Sequence, residues 1–246
     1  MSDLRIDYSG LHGLVEEGAK QTKDREQRKA RLRSFPRRAA WAGAKWTIVG
    51  LTVAILPFFL LIRGGVFAYR VWDVGTWPAL SLAVVATAAL LGLYGLVVSR
   101  RVGAGVRTRK ILTRGAMAVA IAYTAYGLVF IASENVKSDD IRAGYASVHP
   151  LLRIAASALV LVDPEAVITD AGRTAEDYWL MGLPINEASL HFEQETGYVH
   201  ALDLRTQGRS EFRNRVVELG FWALGFHSLR HVGTADHLHL SLRLPG

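Results

Sequence analysis

The chain has 246 residues, half of them hydrophobic, and it contains no cysteine. This length fits one large domain, or a membrane region joined to a small soluble domain. The composition excludes disulfides and thiolate metal sites, so any metal ion must be bound by His, Asp or Glu.

The net charge of +7 belongs to one part of the chain only. Residues 1–133 contain 19 Lys and Arg against 7 Asp and Glu. Residues 134–246 contain 10 against 15, together with seven of the eight His. The charge pattern therefore predicts two regions of different kinds and does not indicate a nucleic-acid partner.

Three stretches in the first region lack any charged residue: Trp46–Ile62, Val74–Ser99 and Gly115–Ser133. A helix needs about 20 apolar residues to cross the hydrocarbon core of a bilayer. We therefore predict an α-helical membrane region, with three transmembrane helices at about 46–62, 77–99 and 115–133. The alternative is three buried helices of a soluble bundle, which would rarely lack a polar stripe.

Basic residues set the predicted orientation. The segment 1–45 and the loop between the second and third spans are rich in Lys and Arg, whereas the first loop has only Arg63 and Arg70, with Asp73. The positive-inside rule then places residues 1–45 in the cytoplasm and residues 134–246 outside a bacterial cytoplasmic (inner) membrane. The basic stretch 20–38 either contacts anionic membrane lipids or acts only as a determinant of topology.

The second region has the pattern of a compact α+β domain over residues 134–246. A helix-like stretch, Ile141–Val162, is broken by Asp163-Pro164. A further helix over Ser210–Leu219 has Ser210 as its N-cap and Gly220 beyond its end. Strand-like runs are predicted at Ala166–Thr169, Tyr198–Leu204 and His237–Leu244.

Three segments of this domain carry chemically useful residues: Ile168–Thr174, Ser189–Leu204 and Gly233–Leu242. Two His and one Asp are a suitable ligand set for a catalytic zinc with one open position. His237 and His239 alternate along a strand and so share a face. Asp236 belongs to the other face unless the strand begins after it, in which case it could reach a metal-bound water as general base.

These segments resemble the zinc peptidases of the D-Ala-D-Ala carboxypeptidase type, whose fold is shared with lysostaphin-like enzymes and hedgehog domains. The resemblance covers roughly residues 145–244. It rests on an Arg after a strand, a Ser-x-His segment followed by an Asp, and a closing strand with an acid and His-x-His. It implies a zinc (Zn2+) cofactor and a zinc-peptidase-like domain.

By this resemblance His191, Asp203 and His239 are the zinc ligands, and Asp236 is the catalytic acid. Arg173 steadies the substrate carbonyl or carboxylate. Ser189 and His237 are expected to contact substrate, although His237 could instead only pack beside the site.

One spacing differs from the family. Eleven residues separate His191 from Asp203, where the family usually has six. His200 is the competing ligand, but it lies three positions before Asp203 and so faces the other side of a strand. We therefore favour His191 and expect the extra residues to form a longer loop.

The remaining candidates have ordinary structural interpretations. His227 and His231 are predicted in a solvated loop, and His149 as a capping or surface residue. Trp179 and Trp222 are predicted in the core or at its rim.

The combined expectation is a membrane-anchored zinc peptidase acting on peptidoglycan stem peptides or a lipid-linked precursor. The bond cut would be of the D,D- or L,D-type, by carboxypeptidase or endopeptidase action. Two alternatives stay open: an inactive module that binds wall peptides, and a structural subunit of an envelope complex. A homo-oligomer or an envelope protein partner is compatible with each of them.

Overall fold

The computed structural model describes residues 9–233 and 236–246. Residues 1–8 of the predicted cytoplasmic segment and residues 234–235 of the third chemical segment lie outside the described residues. The described helices are α1 (Ser9–Val71), α2 (Thr76–Arg101), α3 (Val106–Val129), α4 (Asp139–Gly144), α5 (Pro150–Val162), α6 (Ala175–Leu180) and α7 (Glu211–Leu224). The described strands are β1 (Ile168–Asp170), β2 (Ala201–Arg205), β3 (His227–His231) and β4 (His237–Ser241).

The chain divides into two compact units, residues 1–54 and residues 55–246. In the first unit, the residues from Ser9 onward belong to α1. Its Thr47 and Thr52 hydroxyls donate to carbonyl oxygens four residues earlier, at 3.0 and 2.9 Å. These bonds satisfy the hydroxyls within the helix, as an apolar surrounding requires.

Three helical segments of the described chain are long and apolar enough to cross a membrane. They are Gly43–Val71, Thr76–Arg101 and Val106–Val129. The prediction of three such helices is confirmed, and a small antiparallel sheet region follows them. Residues 130–132, inside the predicted third span, are not helical.

In the second unit, the end of α1, the start of α2 and the end of α3 share one hydrophobic core with α5 and the sheet. Glycine allows α5 to approach the long helices closely. A Cβ added at Gly65 would lie 2.5 Å from a methyl group of Leu151, and one added at Gly127 would lie 3.3 Å from the Ile154 Cα. The sheet region is therefore packed onto the apolar helices.

The predicted helix over 141–162 is wrong in its first third. Only α5 is a long helix there, whereas α4 is a separate short helix that ends at Gly144. His149 is extended because it precedes Pro150, which disfavours the helical conformation at that position. His149 caps α5 as predicted, by accepting a hydrogen bond from the Leu151 amide, but it is fully buried and not on the surface.

Ser210 is the N-cap of α7, as predicted, but the helix continues beyond the predicted end at Leu219. Gly220 lies inside the helix because Phe221, one residue later, packs into the core. The helix ends at Gly225, whose φ of 96° is a left-handed conformation that favours glycine. Trp179 and Trp222, predicted in the core or at its rim, are 77% and 70% exposed and so lie on the surface.

The four described strands form an antiparallel sheet in the order β1-β2-β4-β3. One face carries Leu202, Leu204, Leu238 and Leu240, which pack in the core with residues of α5 and α7. The alternate positions, among them Asp203 and His239, belong to the opposite face. His227 and His231, predicted in a solvated loop, are exposed as predicted, but they lie on β3 and not in a loop.

Candidate metal centre

Antiparallel pairing of β2 and β4 brings Asp203 directly opposite His239. His191 reaches the same point from the loop before β2. That loop is fixed by two backbone bonds, from the Arg173 amide to the His191 carbonyl at 2.7 Å and from the His200 amide to the Leu190 carbonyl at 2.8 Å. The structure therefore brings together the three residues that the resemblance implies as ligands.

Three ligand atoms of this group converge. His191 Nε2 lies 3.1 Å from His239 Nδ1 and 3.2 Å from Asp203 Oδ1, and His239 Nδ1 lies 2.9 Å from the same oxygen. Bonds of about 2.0–2.1 Å to a tetrahedral zinc would separate two ligand atoms by about 3.3–3.4 Å. The His191–Asp203–His239 group could therefore hold a metal ion after small adjustments.

The group is mostly shielded from solvent. His191 and Asp203 are buried, and the His239 side chain is 21% exposed. Burial alone would raise the pKa of the Asp203 carboxyl, but hydrogen bonds from the His191 and His239 rings outweigh burial and hold the pKa below its usual value. Asp203 is thus an anion at neutral pH, as a metal ligand must be.

A second carboxylate lies near the other ring nitrogen of His191. His191 Nδ1 is buried and has no hydrogen-bond partner among the described residues. The nearest acid is Asp170, whose Oδ1 lies 3.8 Å away. This distance is too long for a hydrogen bond, but metal-binding histidines usually have a carboxylate beside the other ring nitrogen.

Arg173 follows β1 and lies at the edge of a cleft. Its guanidinium pairs with Asp170, with Nε and Nη2 at 2.8 and 2.7 Å from Oδ2. Burial lowers the pKa of Arg173, but the Asp170 charge outweighs burial and raises it overall. The cleft has a volume of about 1010 Å³ and is lined in part by Lys137, Asp140, Arg173, Asp177, Glu193 and Glu195.

The extra residues between His191 and Asp203 form a self-contained turn. The Gln194 side chain donates to the carbonyl oxygens of Ser189 and Phe192 at 2.9 and 2.8 Å. Ser189 also accepts a bond from the His191 amide through its hydroxyl, at 3.3 Å. Ser189, predicted to contact substrate, thus shapes the loop that presents His191.

His200 is occupied elsewhere. Its Nδ1 donates to the Leu242 carbonyl at 3.1 Å, and its Nε2 accepts from the Thr196 hydroxyl at 2.8 Å. Burial lowers its pKa, so the ring is neutral. His191, and not His200, lies in the group that could hold a metal ion.

His237 lies beside the group, with its Nε2 3.5 Å from Asp203 Oδ2. Its ring stacks on His231 at a centroid distance of 4.6 Å. His231 was missed as a neighbour of the group because β3 was predicted as a loop. The run of seven residues between Gly225 and Gly233, five of which form β3, was the feature that could have indicated a hairpin with β4.

Asp236 is held on the other side of the sheet. Its carboxylate accepts bonds from the Arg230 guanidinium at 2.7 and 2.9 Å and from the Thr206 hydroxyl at 2.6 Å. Arg230 pairs with Leu238 across the strands and also contacts Glu211 of α7, so it belongs to the face covered by that helix. The structure therefore does not bring Asp236 to the three ligands.

Comparison of the chain with protein families, with curated proteins and with solved structures found no match.

Proposed function

We propose that this protein is a membrane-anchored zinc peptidase that acts outside the cytoplasmic membrane on peptidoglycan stem peptides. The observation that carries the proposal is the convergence of His191 Nε2, Asp203 Oδ1 and His239 Nδ1. A cleft lies near this group, because Asp170 and Phe192, the neighbours of His191 in space and in sequence, line it. Three ligands with an open fourth position are the usual arrangement of a catalytic zinc. The three apolar helices and the basic flanks support the location.

Zinc bound at this group would supply a Lewis acid and lower the pKa of a bound water to about 7. The chain's own residues would orient the substrate. Arg173 is a permanent cation at the cleft edge, suited to bind a peptide carbonyl or a terminal carboxylate. Asp170 would fix the His191 ring and the Arg173 guanidinium together, because it lies between them.

Proton transfer is the step for which this chain would have to rearrange. The resemblance assigns that role to Asp236, whose carboxylate is engaged by Arg230 and Thr206. Asp236 can accept a proton from a nucleophilic water only if it leaves Arg230 and Thr206 and reaches the face of the sheet that carries the three ligands. This observation favours a second candidate function, a module that binds wall peptides through the same group without cutting them.

The first test is metal content of the full chain purified in detergent with zinc present. We expect about one zinc per chain in the wild type, and loss of zinc in His191→Ala, Asp203→Ala and His239→Ala. His227→Ala is the matched control, because His227 is exposed at the far end of the same sheet face. Wild type without zinc would contradict both candidate functions.

The second test separates the two candidates. Zinc-loaded protein is incubated with defined stem peptides and with lipid-linked precursor, and products are identified by mass spectrometry. We expect hydrolysis that is lost in Arg173→Ala while zinc remains bound. Zinc and peptide binding without hydrolysis would favour the binding module. Because α5 packs on the three long helices, precursor near the membrane is the preferred substrate, and cleavage of mature sacculi alone would contradict that preference.

A further inference from the structure

α7 has two apolar faces. Val217 and Phe221 are buried in the core on one side of the helix. On the other side, four large apolar residues are exposed at spacings of four, three and three: Phe212 (80%), Val216 (52%), Leu219 (61%) and Trp222 (70%). We call these four residues the α7 stripe. A helix on the surface of a soluble protein normally has one apolar face, so the stripe requires an apolar neighbour.

α7 lies in the same layer as α5. Both helices contribute to the core on the leucine face of the sheet. The side of α5 that faces away from the sheet packs on the long helices, through Gly65 of α1 and Gly127 of α3. α7 likewise buries one side in this core and carries the stripe on its opposite side.

The end of α7 also contacts α1 directly. A Cβ added at Gly225 would lie 2.9 Å from Val66 Cγ1 and 3.0 Å from Arg63 Nη1. The Arg70 guanidinium donates to the Gly225 carbonyl at 3.3 Å. Arg63 and Val66 precede the end of the apolar segment at Val71, by about 7–12 Å of helix at 1.5 Å per residue. The Trp222 end of the stripe therefore lies at the level of the last turns of a candidate span.

We propose that the α7 stripe lies in the interface of the same bilayer that α1, α2 and α3 cross. The proposal rests on those helices spanning a membrane and does not depend on catalysis. The stripe has the composition of an interfacial helix, with Trp222 and Phe212 near its two ends and charged Arg215 and Glu218 beside it. Trp is preferred at the headgroup level because its ring is apolar and its N–H polar.

The neighbouring end of α5 extends this surface. Asp163 binds Arg209 and Arg213, so the last residues of α5 lie beside the start of α7. Leu161 and Val162 are 54% and 82% exposed there. The surface facing the bilayer thus includes both helices, and the metal group, on the opposite face of the sheet, is turned away from lipid.

Site-directed spin labelling of the full chain tests this directly. The chain has no cysteine, so each single substitution creates one labelling site. Leu219→Cys reports on the stripe. Leu229→Cys is the matched control, because Leu229 is also an exposed leucine (48%) but lies on the face of His239. Val85→Cys, at an exposed position of α2 (58%), is the reference inside a span.

Each labelled protein is reconstituted in vesicles of phosphatidylcholine and phosphatidylglycerol. No metal is added to occupy the His191–Asp203–His239 group. The accessibility of the label to oxygen, which partitions into lipid, is compared with its accessibility to a water-soluble nickel chelate. We expect the oxygen-to-nickel ratio at Leu219 to exceed that at Leu229 several-fold and to approach that at Val85.

Three results would overturn the proposal. A nickel-accessible label at Leu219, with an oxygen-accessible label at Val85, would mean that the stripe faces water. A label at Leu219 shielded from both reagents would mean that another protein or a second copy covers the stripe. A nickel-accessible label at Val85 would remove the membrane assignment itself. The labelled variants must keep the melting temperature of the wild type.

Discussion

His149 Nε2 and Thr76 Oγ1 lie 3.0 Å apart in the interior, where they join the start of α5 to the first residue of α2. His149 Nδ1 accepts a bond from the Leu151 amide, so the ring proton is on Nε2 and is donated to the threonine hydroxyl. This bond is one of the polar contacts at a largely apolar junction between the long helices and the sheet region; another joins the Arg153 guanidinium to the Leu128 carbonyl.

Removing the threonine hydroxyl should therefore destabilise the protein. We expect Thr76→Val to cost about 1–3 kcal/mol, because the His149 N–H stays buried without a partner. Thr87→Val is the matched control on the same helix, since the buried Thr87 hydroxyl has no partner atom among the described residues. Thermal unfolding in detergent should show a lower melting temperature for Thr76→Val only, and an equal loss in both variants would contradict the assignment.

The effect of Thr76→Val should not depend on pH between 5 and 8. Burial, followed by the neighbouring His200 and Arg153 side chains, lowers the pKa of His149 to about 2. The usual value is near 6.5, so the unfolded chain gains a proton below about that pH and both proteins lose stability equally. If the stability difference between Thr76→Val and the wild type changed as the pH passes 6.5, His149 would be charged in the folded protein.

Adjacent glycines of α1 should respond oppositely to alanine. Gly65→Ala places a methyl group 2.5 Å from the fully buried Leu151, whereas Gly64→Ala has only an ordinary contact with Leu60 at 3.7 Å. Overpacking of this kind costs about 1–3 kcal/mol, whereas alanine normally stabilises a helix relative to glycine by about 0.5–1 kcal/mol. Melting temperatures should fall for Gly65→Ala and stay level or rise for Gly64→Ala. The reverse order would show that α5 does not pack on α1 here.

The buried carboxylate of Asp163 should be a pH-dependent source of stability. Burial would raise its pKa, but hydrogen bonds and charges from Arg213 and Arg209 outweigh burial and lower it. The stability that Asp163 contributes is thus complete above the usual carboxyl pKa of about 4. It is lost as the pH falls through the lower pKa that Asp163 has in the folded protein. Asp163→Asn should cost about 3 kcal/mol at pH 7, because Arg209 stays buried without its partner.

The melting-temperature deficit of Asp163→Asn should shrink as the pH is lowered below about 4. Glu165→Gln is the control, because Glu165 is 76% exposed and binds only the outer side of Arg213. We expect that variant to change stability by at most about 1 kcal/mol. A constant deficit for Asp163→Asn down to pH 2 would contradict the role assigned to the carboxylate.

Asp236 and Arg230 should behave as one structural pair. Hydrogen bonds from Arg230 and Thr206 lower the pKa of Asp236 to about 2, so the carboxylate is a weak base while the pair is closed. We expect Asp236→Asn and Arg230→Gln each to lower the melting temperature. The fall in the double variant should be smaller than the sum of the two single falls. Full stability of Asp236→Asn with complete loss of hydrolysis would instead identify Asp236 as the proton carrier.

The sequence was sufficient for elements whose pattern is local. The three apolar stretches predict their helices by length and charge alone, and the alternation in His237–Ser241 predicts β4. The packing of α5 on α1 and α3 was not predictable, because an apolar run shows that a helix is buried but not which surface buries it. The prediction of one helix over 141–162 failed for two reasons. Pro150 disfavours the helical conformation at His149, which the sequence does indicate, and Val148 forms a bridge with distant Val199, which it does not.

The same distinction holds for the site. Alternation separates His200 from Asp203, and so it favours His191 as the ligand without knowledge of the fold. The position of Asp236 depends on Arg230, which lies on a strand that was predicted as a loop. A partner on an unrecognised strand cannot enter a prediction, however strong the ion pair. His231 was missed for the same reason.

The core that α5 shares with the long helices also bears on the order of assembly in the cell. α5 is synthesised after α1, α2 and α3, and its apolar side chains are covered only when those helices are in place. The strands that align His191, Asp203 and His239 close on the same core. A chain whose long helices have not assembled would leave α5 exposed to water, so the ligand group would be complete only on molecules in which those helices are already in place.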